Sequence, residues 1–74
     1  MFGYSMAPWL VVVHFNDHMG NRFIYNPFFD RDAAIKYYTD TRDSFFNGGF
    51  NGDEICLFEF KEGDYILDRR CYPL

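Results

Sequence analysis

Aromatic side chains are unusually dense in this chain and limit what it can fold into. Seventeen of the 74 residues are aromatic: ten Phe, six Tyr and one Trp. A chain this short has difficulty burying enough apolar surface to fold alone, and each ring offers roughly 150–250 Å² to bury. Seventeen rings exceed what one helix on one small sheet can cover. We therefore expect some rings at the surface, where exposed aromatic groups usually meet a partner.

The net charge of −4 is concentrated in the middle of the chain. Residues 30–64 carry nine acidic and four basic side chains, which leaves that stretch at −5. An acidic surface repels phosphate backbones, so nucleic-acid binding is disfavoured, whereas a basic partner protein would be attracted. The simpler interpretation, a solvated face that keeps an apolar protein soluble, ranks first.

The longest apolar run is Trp9 to Val13, far shorter than the ~20 residues that a membrane helix needs. No basic residue precedes the run and no small-residue cleavage site follows it, so it does not read as a signal peptide. We expect no membrane association and a cytoplasmic location.

The two cysteines lack the density of a secreted disulfide scaffold. A two-residue hairpin turn at Gly63-Asp64 would place Cys56 opposite Cys71. A turn at Glu62-Gly63 would separate them by one pair on the same face. In a reducing compartment we expect two small buried thiols rather than a bridge.

Hydrophobic periodicity divides the chain into two hairpins joined by a helix. Strands are predicted over 9–15, 22–26, 55–61 and 65–72. The helix is predicted from an Asp30 N-cap to about Phe45 or Phe46, followed by Asn47-Gly48-Gly49. This order predicts an α+β fold: two layers in ββαββ order, with a four-stranded, mainly antiparallel sheet and one helix packed on one face. We expect one domain over residues 1–74, in which residues 1–8 form a loosely held lead-in. The sequence pattern does not define the order of the strands across the sheet.

The core face of each hairpin is predicted from a loop length or from alternation along its strands. A three-residue loop from His18 to Gly20 places Phe15 opposite Phe23 and Val13 opposite Tyr25, which predicts a core face made of Trp9, Val11, Val13, Phe15, Phe23 and Tyr25. In the second hairpin, alternation predicts a core face of Cys56, Phe58, Phe60, Tyr65, Leu67 and Cys71. The helix stripe expected to cover the sheet comprises Ala34, Ile35, Tyr38, Thr41 and Phe45.

No motif of catalysis or metal binding emerges. His14, Asp17 and His18 lie on a strand and turn, where their spacing does not bring both imidazoles to one face. Ser5 and Ser44 lie outside any nucleophile-elbow sequence, and the cysteines are assigned to the core. We therefore expect no enzyme activity, no metal and no cofactor.

Two surfaces remain as candidates for recognition. The first is a partner-binding surface on the helix and the following loop, with aromatic anchors and an acidic border; its residues are Tyr37, Asp40, Asp43, Phe50, Asp53 and Glu54. The second is a possible dimer seam on the even face of the first two strands, formed by Leu10, Val12, His14 and Ile24. Alternatively, the lead-in residues Phe2, Tyr4 and Met6 fold over that even face.

The segment Phe29–Tyr38, which follows an apolar hairpin in a short acidic chain, resembles small phage-encoded accessory proteins. That group includes inhibitors of host defence such as anti-CRISPR proteins. The resemblance lies in size, acidity, element order and the start of the helix. It implies binding and blocking of a host protein in the host cytoplasm, without catalysis.

The sequence thus predicts a small acidic protein-binding module that inhibits or modulates a host protein. A self-associating structural or assembly component is the alternative. A sheet-face RNA-binding module comes third, because the Lys/Arg-Gly-aromatic run typical of such modules is absent and the charge has the wrong sign.

Overall fold

The computed structural model describes residues 7–17, 20–46 and 54–71, without the side chains of Asn16, Asp17, Phe45 and Phe46. These ranges contain four strands and one helix. In chain order they are β1 (Trp9–Asp17), β2 (Gly20–Phe28), α1 (Arg31–Phe46), β3 (Glu54–Lys61) and β4 (Asp64–Cys71). The predicted α+β fold in ββαββ order is confirmed.

The four strands form one antiparallel sheet in the order β2-β1-β3-β4. The chain leaves β2 at one edge, passes through α1, and returns as β3 on the far side of β1. The two central strands are therefore β1 and β3, and each hairpin places its other strand at an edge. The main contacts of α1 are with β3, β1 and β2 on one face of the sheet.

The helix begins where its cap predicts. The Ala33 amide donates to the Asp30 carboxylate at 3.0 Å, and the Ala34 amide donates to the Asp30 carbonyl at 3.1 Å. Asp32 adds a carboxylate in the first turn, where the helix dipole favours it. On the solvent-exposed side of the helix, Lys36 pairs with Asp40 at 2.8 Å.

The core lies between α1 and the two central strands. Val11 and Val13 of β1 are fully buried beside their cross-strand partners Leu57 and Ile55 of β3. The helix covers them with a stripe whose described buried members are Ala34, Tyr38 and Thr41. Each of these helix positions belongs to the predicted stripe.

The predicted register of the first hairpin is wrong by one residue. Val13 lies opposite Ile24, and His14 lies opposite Phe23, because Asp17 pairs with Gly20. The connection therefore has two residues instead of three. A slip of one residue moves every side chain of a strand to the other face, so Phe23 and Tyr25 lie on the face opposite α1.

The second hairpin adopts the second of its two predicted turns, and its register departs from the prediction only beyond Phe58. Its turn is Glu62-Gly63, with positive φ angles of 53° and 86°. The register shifts between Leu57 and Phe58, which leaves Asp68 of β4 as an extra residue, a β-bulge.

The bulge separates the two cysteines. Cys56 lies opposite Arg70, and Cys71 lies opposite Ile55 on the side that α1 covers. Because they face opposite sides of the sheet, the two thiols cannot approach each other, and they form no disulfide with one another. The predicted core face of β3 is also wrong, because Ile55 and Leu57 pair with the buried Val13 and Val11 and point to α1, while Cys56, Phe58 and Phe60 point away.

The end of the predicted lead-in is held firmly. Ala7 is fully buried, and its carbonyl accepts a hydrogen bond of 2.8 Å from the hydroxyl of Tyr65. The Pro8 carbonyl accepts from the amide of Phe60 at 2.9 Å, which extends the β1–β3 ladder by one residue. Residues 1–6, including Phe2, Tyr4 and Met6, lie outside the described residues.

Candidate protein-binding surface

Large apolar side chains are exposed at three places in the described chain. The first, which we call the β2 patch, comprises Phe23, Ile24 and Tyr25. The second is Phe29, which follows β2 and is 75% exposed. The third, which we call the hairpin patch, comprises Phe60, Ile66 and Leu67 near the turn of the second hairpin. The expectation that some rings remain at the surface is confirmed by Phe23, Tyr25, Phe29 and Phe60.

The hairpin patch combines apolar side chains on both faces of its two strands. Phe60 lies opposite Tyr65, with ring centroids 5.1 Å apart in an edge-to-face arrangement. Leu67 shares that side of the sheet, whereas Ile66 lies on the other side, opposite Glu59. The exposed fractions of Phe60, Ile66 and Leu67 are 38%, 49% and 41%. The turn end of the hairpin therefore presents apolar groups in two directions.

Carboxylates surround the hairpin patch. Between residues 59 and 68 there are four acidic side chains and one basic side chain, Lys61, so the segment carries −3. Lys61 pairs with the partly buried Glu59 at 3.4 Å, and Asp68 pairs with Arg69 at 3.3 Å on the exposed surface. Exposed ion pairs of this kind contribute little to stability, so a partner's charges can replace them at small cost.

A shallow cavity of about 70 Å³ lies within the hairpin patch. Its lining residues are Glu59, Lys61, Ile66, Leu67 and Asp68. Asp68 reaches this position because it is the bulged residue, and bulges redirect side chains. A lining of apolar groups with two carboxylates, one of them already paired with Lys61, suits a lysine or arginine side chain, whose stem is apolar and whose head is charged.

A row of polar side chains crosses the face opposite α1. His14 stacks on Phe23 with ring centroids 4.6 Å apart, and its Nε2 lies 2.9 Å from Asn21 Oδ1. Its Nδ1 lies 3.9 Å from the carboxylate of Glu54, which accepts a 2.8 Å contact from Nε of Arg70. These contacts link all four strands laterally, so the row stabilises the sheet.

Cys56 lies beside this row and is 7% exposed. Burial raises the pKa of its thiol, and a hydrogen bond from Arg70 acts in the opposite direction with less effect. The thiol is therefore protonated near neutral pH, which does not favour nucleophilic chemistry.

Three of the four predicted seam residues share a face, and one does not. Leu10, Val12 and His14 point away from α1, as the sequence predicts. Ile24 pairs with Val13 and therefore lies on the opposite face. Leu10 is only 6% exposed. The even face of β1 thus offers less accessible surface than expected.

The four described members of the predicted partner-binding surface do not lie together. Tyr37 is half-buried against Phe28, with ring centroids 5.5 Å apart, and packs on the core. Asp40 and Asp43 are exposed on the helix, each paired with a neighbouring base, Lys36 and Arg42. Glu54 lies across the sheet in the polar row. Phe50 and Asp53 lie outside the described residues.

Sequence reasoning named no member of the hairpin patch, and of the β2 patch it named only Ile24, as part of the dimer seam. Phe23, Tyr25, Phe60 and Leu67 are assigned to the core when the strands are read with the wrong register. The composition of the second hairpin carried a usable indication: acidic residues recur on both sides of its apolar positions. Such a pattern is typical of an apolar group with a polar rim.

Among the described residues, no three His, Cys, Asp or Glu side chains lie close enough together to hold a metal ion. A search of the same residues finds no helix of the length and hydropathy needed to cross a membrane. No protein-family model matches this chain, and no curated protein or solved structure shows significant similarity to it.

Proposed function

We propose that this chain is a small acidic protein-binding module without catalytic activity, and that the hairpin patch is its docking surface. The observation that supports this proposal best is the placement of three exposed apolar side chains, Phe60, Ile66 and Leu67, in one hairpin segment of charge −3. Apolar groups with a polar rim are typical of protein–protein interfaces. The partner surface would be apolar with basic residues around it.

The magnitudes indicate how the partner would be held. Full burial of one large apolar side chain is worth roughly 1.5–3 kcal/mol, and these three are already more than half buried. Completing their burial therefore contributes about 3 kcal/mol, well below the ~8 kcal/mol of a micromolar complex. Charge pairs with the acidic rim, and a basic side chain in the cavity beside Ile66, would supply further affinity.

The resemblance of the segment Phe29–Tyr38 to small phage accessory proteins supports a host protein as the partner. On this proposal the module acts by occupying a surface that the host protein needs, as an inhibitor or modulator. Such a role requires a stable fold and a complementary surface, and no reacting groups.

The experiment is affinity capture of the partner from host lysate with variants that separate the apolar and charged contributions. A double change, Ile66→Ser with Leu67→Ser, removes the apolar groups. A second double change, Glu62→Gln with Asp64→Asn, removes two rim charges at similar volume. The control is Ile24→Ser in the β2 patch, because Ile24 and Ile66 are similarly exposed at 45% and 49%.

We expect the Ile66/Leu67 variant to lose capture of a protein that the wild type and Ile24→Ser both retain. The Glu62/Asp64 variant should weaken capture more at low salt than at high salt, since salt screens exposed charges. An equal loss of capture with Ile24→Ser would contradict the assignment of the hairpin patch as the docking surface, and so would undiminished capture by the Ile66/Leu67 variant.

A further inference from the structure

The two edges of the sheet differ in how they resist pairing with another strand. The β4 edge carries four charged residues and the bulge at Asp68, and both features discourage a neighbouring strand. The β2 edge has nine residues and a single charge, Arg22. Its middle presents Phe23, Ile24 and Tyr25 in sequence, with exposed fractions of 51%, 45% and 46%. An edge of this kind is suited to strand pairing.

One hydrogen bond fixes which way the backbone groups of β2 point. The Phe60 amide donates to the Pro8 carbonyl, so the even-numbered residues of β1 direct their backbone groups towards β3. The odd-numbered residues of β1 then point to β2. The pairing of Val13 with Ile24 implies that even-numbered residues of β2 point to β1 and odd-numbered residues point outward.

Pro27 agrees with this orientation. It is an odd-numbered residue of β2, and a proline, which has no N–H, is tolerated on an edge strand where that side faces away from the sheet. Within the sheet that the structure describes, β2 pairs with β1 alone. The outer side of β2 thus has the geometry of a strand that can accept a neighbour.

We propose that the neighbour is β2 of a second copy of this chain, paired antiparallel about a two-fold axis at Ile24. Residues whose backbone groups point outward must pair with each other across the two copies. The two-fold axis therefore passes through a residue and not between two residues. With the axis at Ile24, each Phe23 faces Tyr25 of the other copy, and the two Ile24 side chains face each other. Aromatic and β-branched cross-strand pairs of this kind are favourable.

The single charge selects this register over its neighbours. With the axis at Ile24, Arg22 faces Asn26 of the other copy, a polar residue. An axis at Arg22 would bring two guanidinium groups together, and like charges directly opposite are destabilising. An axis at Phe23 would place Arg22 against Ile24. An axis at Tyr25 would place Ile24 against Asn26 and Phe23 against Pro27. The register at Ile24 is therefore the one that pairs aromatic with aromatic and isoleucine with isoleucine.

The size of the contact predicts a reversible dimer. The three β2-patch side chains are each about half exposed, so pairing covers roughly 300 Å² of them per copy. A stable interface usually covers about 800 Å² per copy. Helix α1 has more contacts with the central strands β3 and β1 than with the edge strand β2. Association should therefore depend on concentration.

The test is sedimentation equilibrium of the full chain from about 10 µM to about 1 mM. The average mass should rise from 8.9 kDa towards twice that value with increasing concentration. Ile24→Lys should keep the chain monomeric throughout, because it would place two ammonium groups at the axis. Ile66→Lys, at the matched exposed position in the hairpin patch, should dimerise like the wild type. Circular dichroism checks that both variants are folded.

Cysteine substitutions test the register without introducing a charged side chain. Non-hydrogen-bonded partners at the axis have Cα atoms ~4.5 Å apart, within the range of a disulfide. Ile24→Cys should therefore form a covalent dimer with oxidised glutathione. Phe23→Cys should form no more covalent dimer than the wild type, which has two native thiols. The Cα atoms of the two copies of residue 23 would be about 8 Å apart, too far for a disulfide.

A wild-type mass of 8.9 kDa at every concentration would overturn the proposal. So would a dimer that Ile24→Lys leaves intact, or a stronger cross-link with Phe23→Cys than with Ile24→Cys. Because the β2 patch and the hairpin patch are separate surfaces, failure here would leave the proposed partner binding unaffected, and the reverse also holds.

Discussion

Individual ionisable side chains set the response of this fold to alkaline pH. Burial raises the pKa of Tyr38 above its ordinary range, and the negative charge that Cys71 acquires on ionisation acts in the same direction. Burial likewise raises the pKa of Cys56. The pKa of Lys36 is raised by its hydrogen bond to Asp40 and by the charge of that carboxylate. All three groups hold their protons more tightly in the folded chain than in the unfolded chain.

We expect the free energy of unfolding to fall as pH rises above about 8.5, where an exposed thiol begins to ionise. The sign follows because the unfolded state then binds fewer protons than the folded state. Urea denaturation between pH 7 and pH 11 measures the effect, and Tyr38→Phe should give a shallower decline above pH 10. A midpoint that stays constant or increases over this range would contradict the direction of all three shifts.

A second prediction at the residue scale concerns Glu62, which has a positive φ of 53° in the turn. This conformation is strained for most residues and is tolerated by asparagine, and Asn-Gly is the preferred pair for a two-residue hairpin turn. Glu62→Asn should therefore stabilise the fold by about 1 kcal/mol. Glu62→Gln removes the same charge without relieving the strain, so it should leave the denaturation midpoint nearly unchanged. Equal stabilisation by both variants would show that the gain comes from removing the Glu62 charge and not from relieving backbone strain.

At the scale of the elements, the helix depends on its first turn. The Asp30 carboxylate accepts from the Ala33 amide, which would otherwise have no partner within the helix. Asp30→Ala should lower the free energy of unfolding by about 1 kcal/mol, whereas Asp30→Ser, which preserves a capping oxygen, should cost much less. Thermal or urea denaturation checks this order. A loss as large with Asp30→Ser as with Asp30→Ala would show that the cap does not stabilise the helix.

The elements were predictable from the sequence to a large extent, and their registers were not. Element order, helix bounds and the buried helix stripe follow from periodicity and the cap. The odd-numbered face of β1 was correctly assigned to the core, but β1 is apolar on both faces from Trp9 to Val13 and so does not constrain the register of β2. One extra loop residue was enough to reverse the assignment of Phe23 and Tyr25. In the second hairpin, the bulge at Asp68 has no sequence pattern of its own.

The candidate surfaces were harder to predict because they depend on those registers. Alternation places Ile66 on the solvent face, and it is exposed, but it lies on the side of the sheet that α1 covers, whereas Phe60 and Leu67 were wrongly assigned to the core. Glu54 is near the helix in sequence but lies in a polar row with His14 and Arg70, a long-range arrangement set by the strand order β2-β1-β3-β4. Sequence neighbours cannot reveal such an arrangement.

At the scale of the whole molecule, a thin two-layer fold leaves apolar groups outside. One helix covers part of one face of a four-stranded sheet, and, apart from Phe29, the exposed apolar groups of the described residues lie at one edge strand and at one hairpin end. The two places differ in charge: the β2 patch has one basic neighbour in its strand, and the hairpin patch is acidic. We propose that the first pairs with a copy of itself and the second with a basic partner.

Site-specific photocrosslinking tests the central claim most directly, that the hairpin patch is a docking surface. A photoreactive phenylalanine analogue is placed at Phe60, which is 38% exposed, or at Phe29, which is 75% exposed. If exposure alone governed contact, Phe29 would give the stronger cross-link. We expect a discrete cross-link to a host protein from position 60 that Ile66→Ser with Leu67→Ser abolishes. Equal or stronger cross-linking of the same protein from position 29, or none from position 60, would contradict the account.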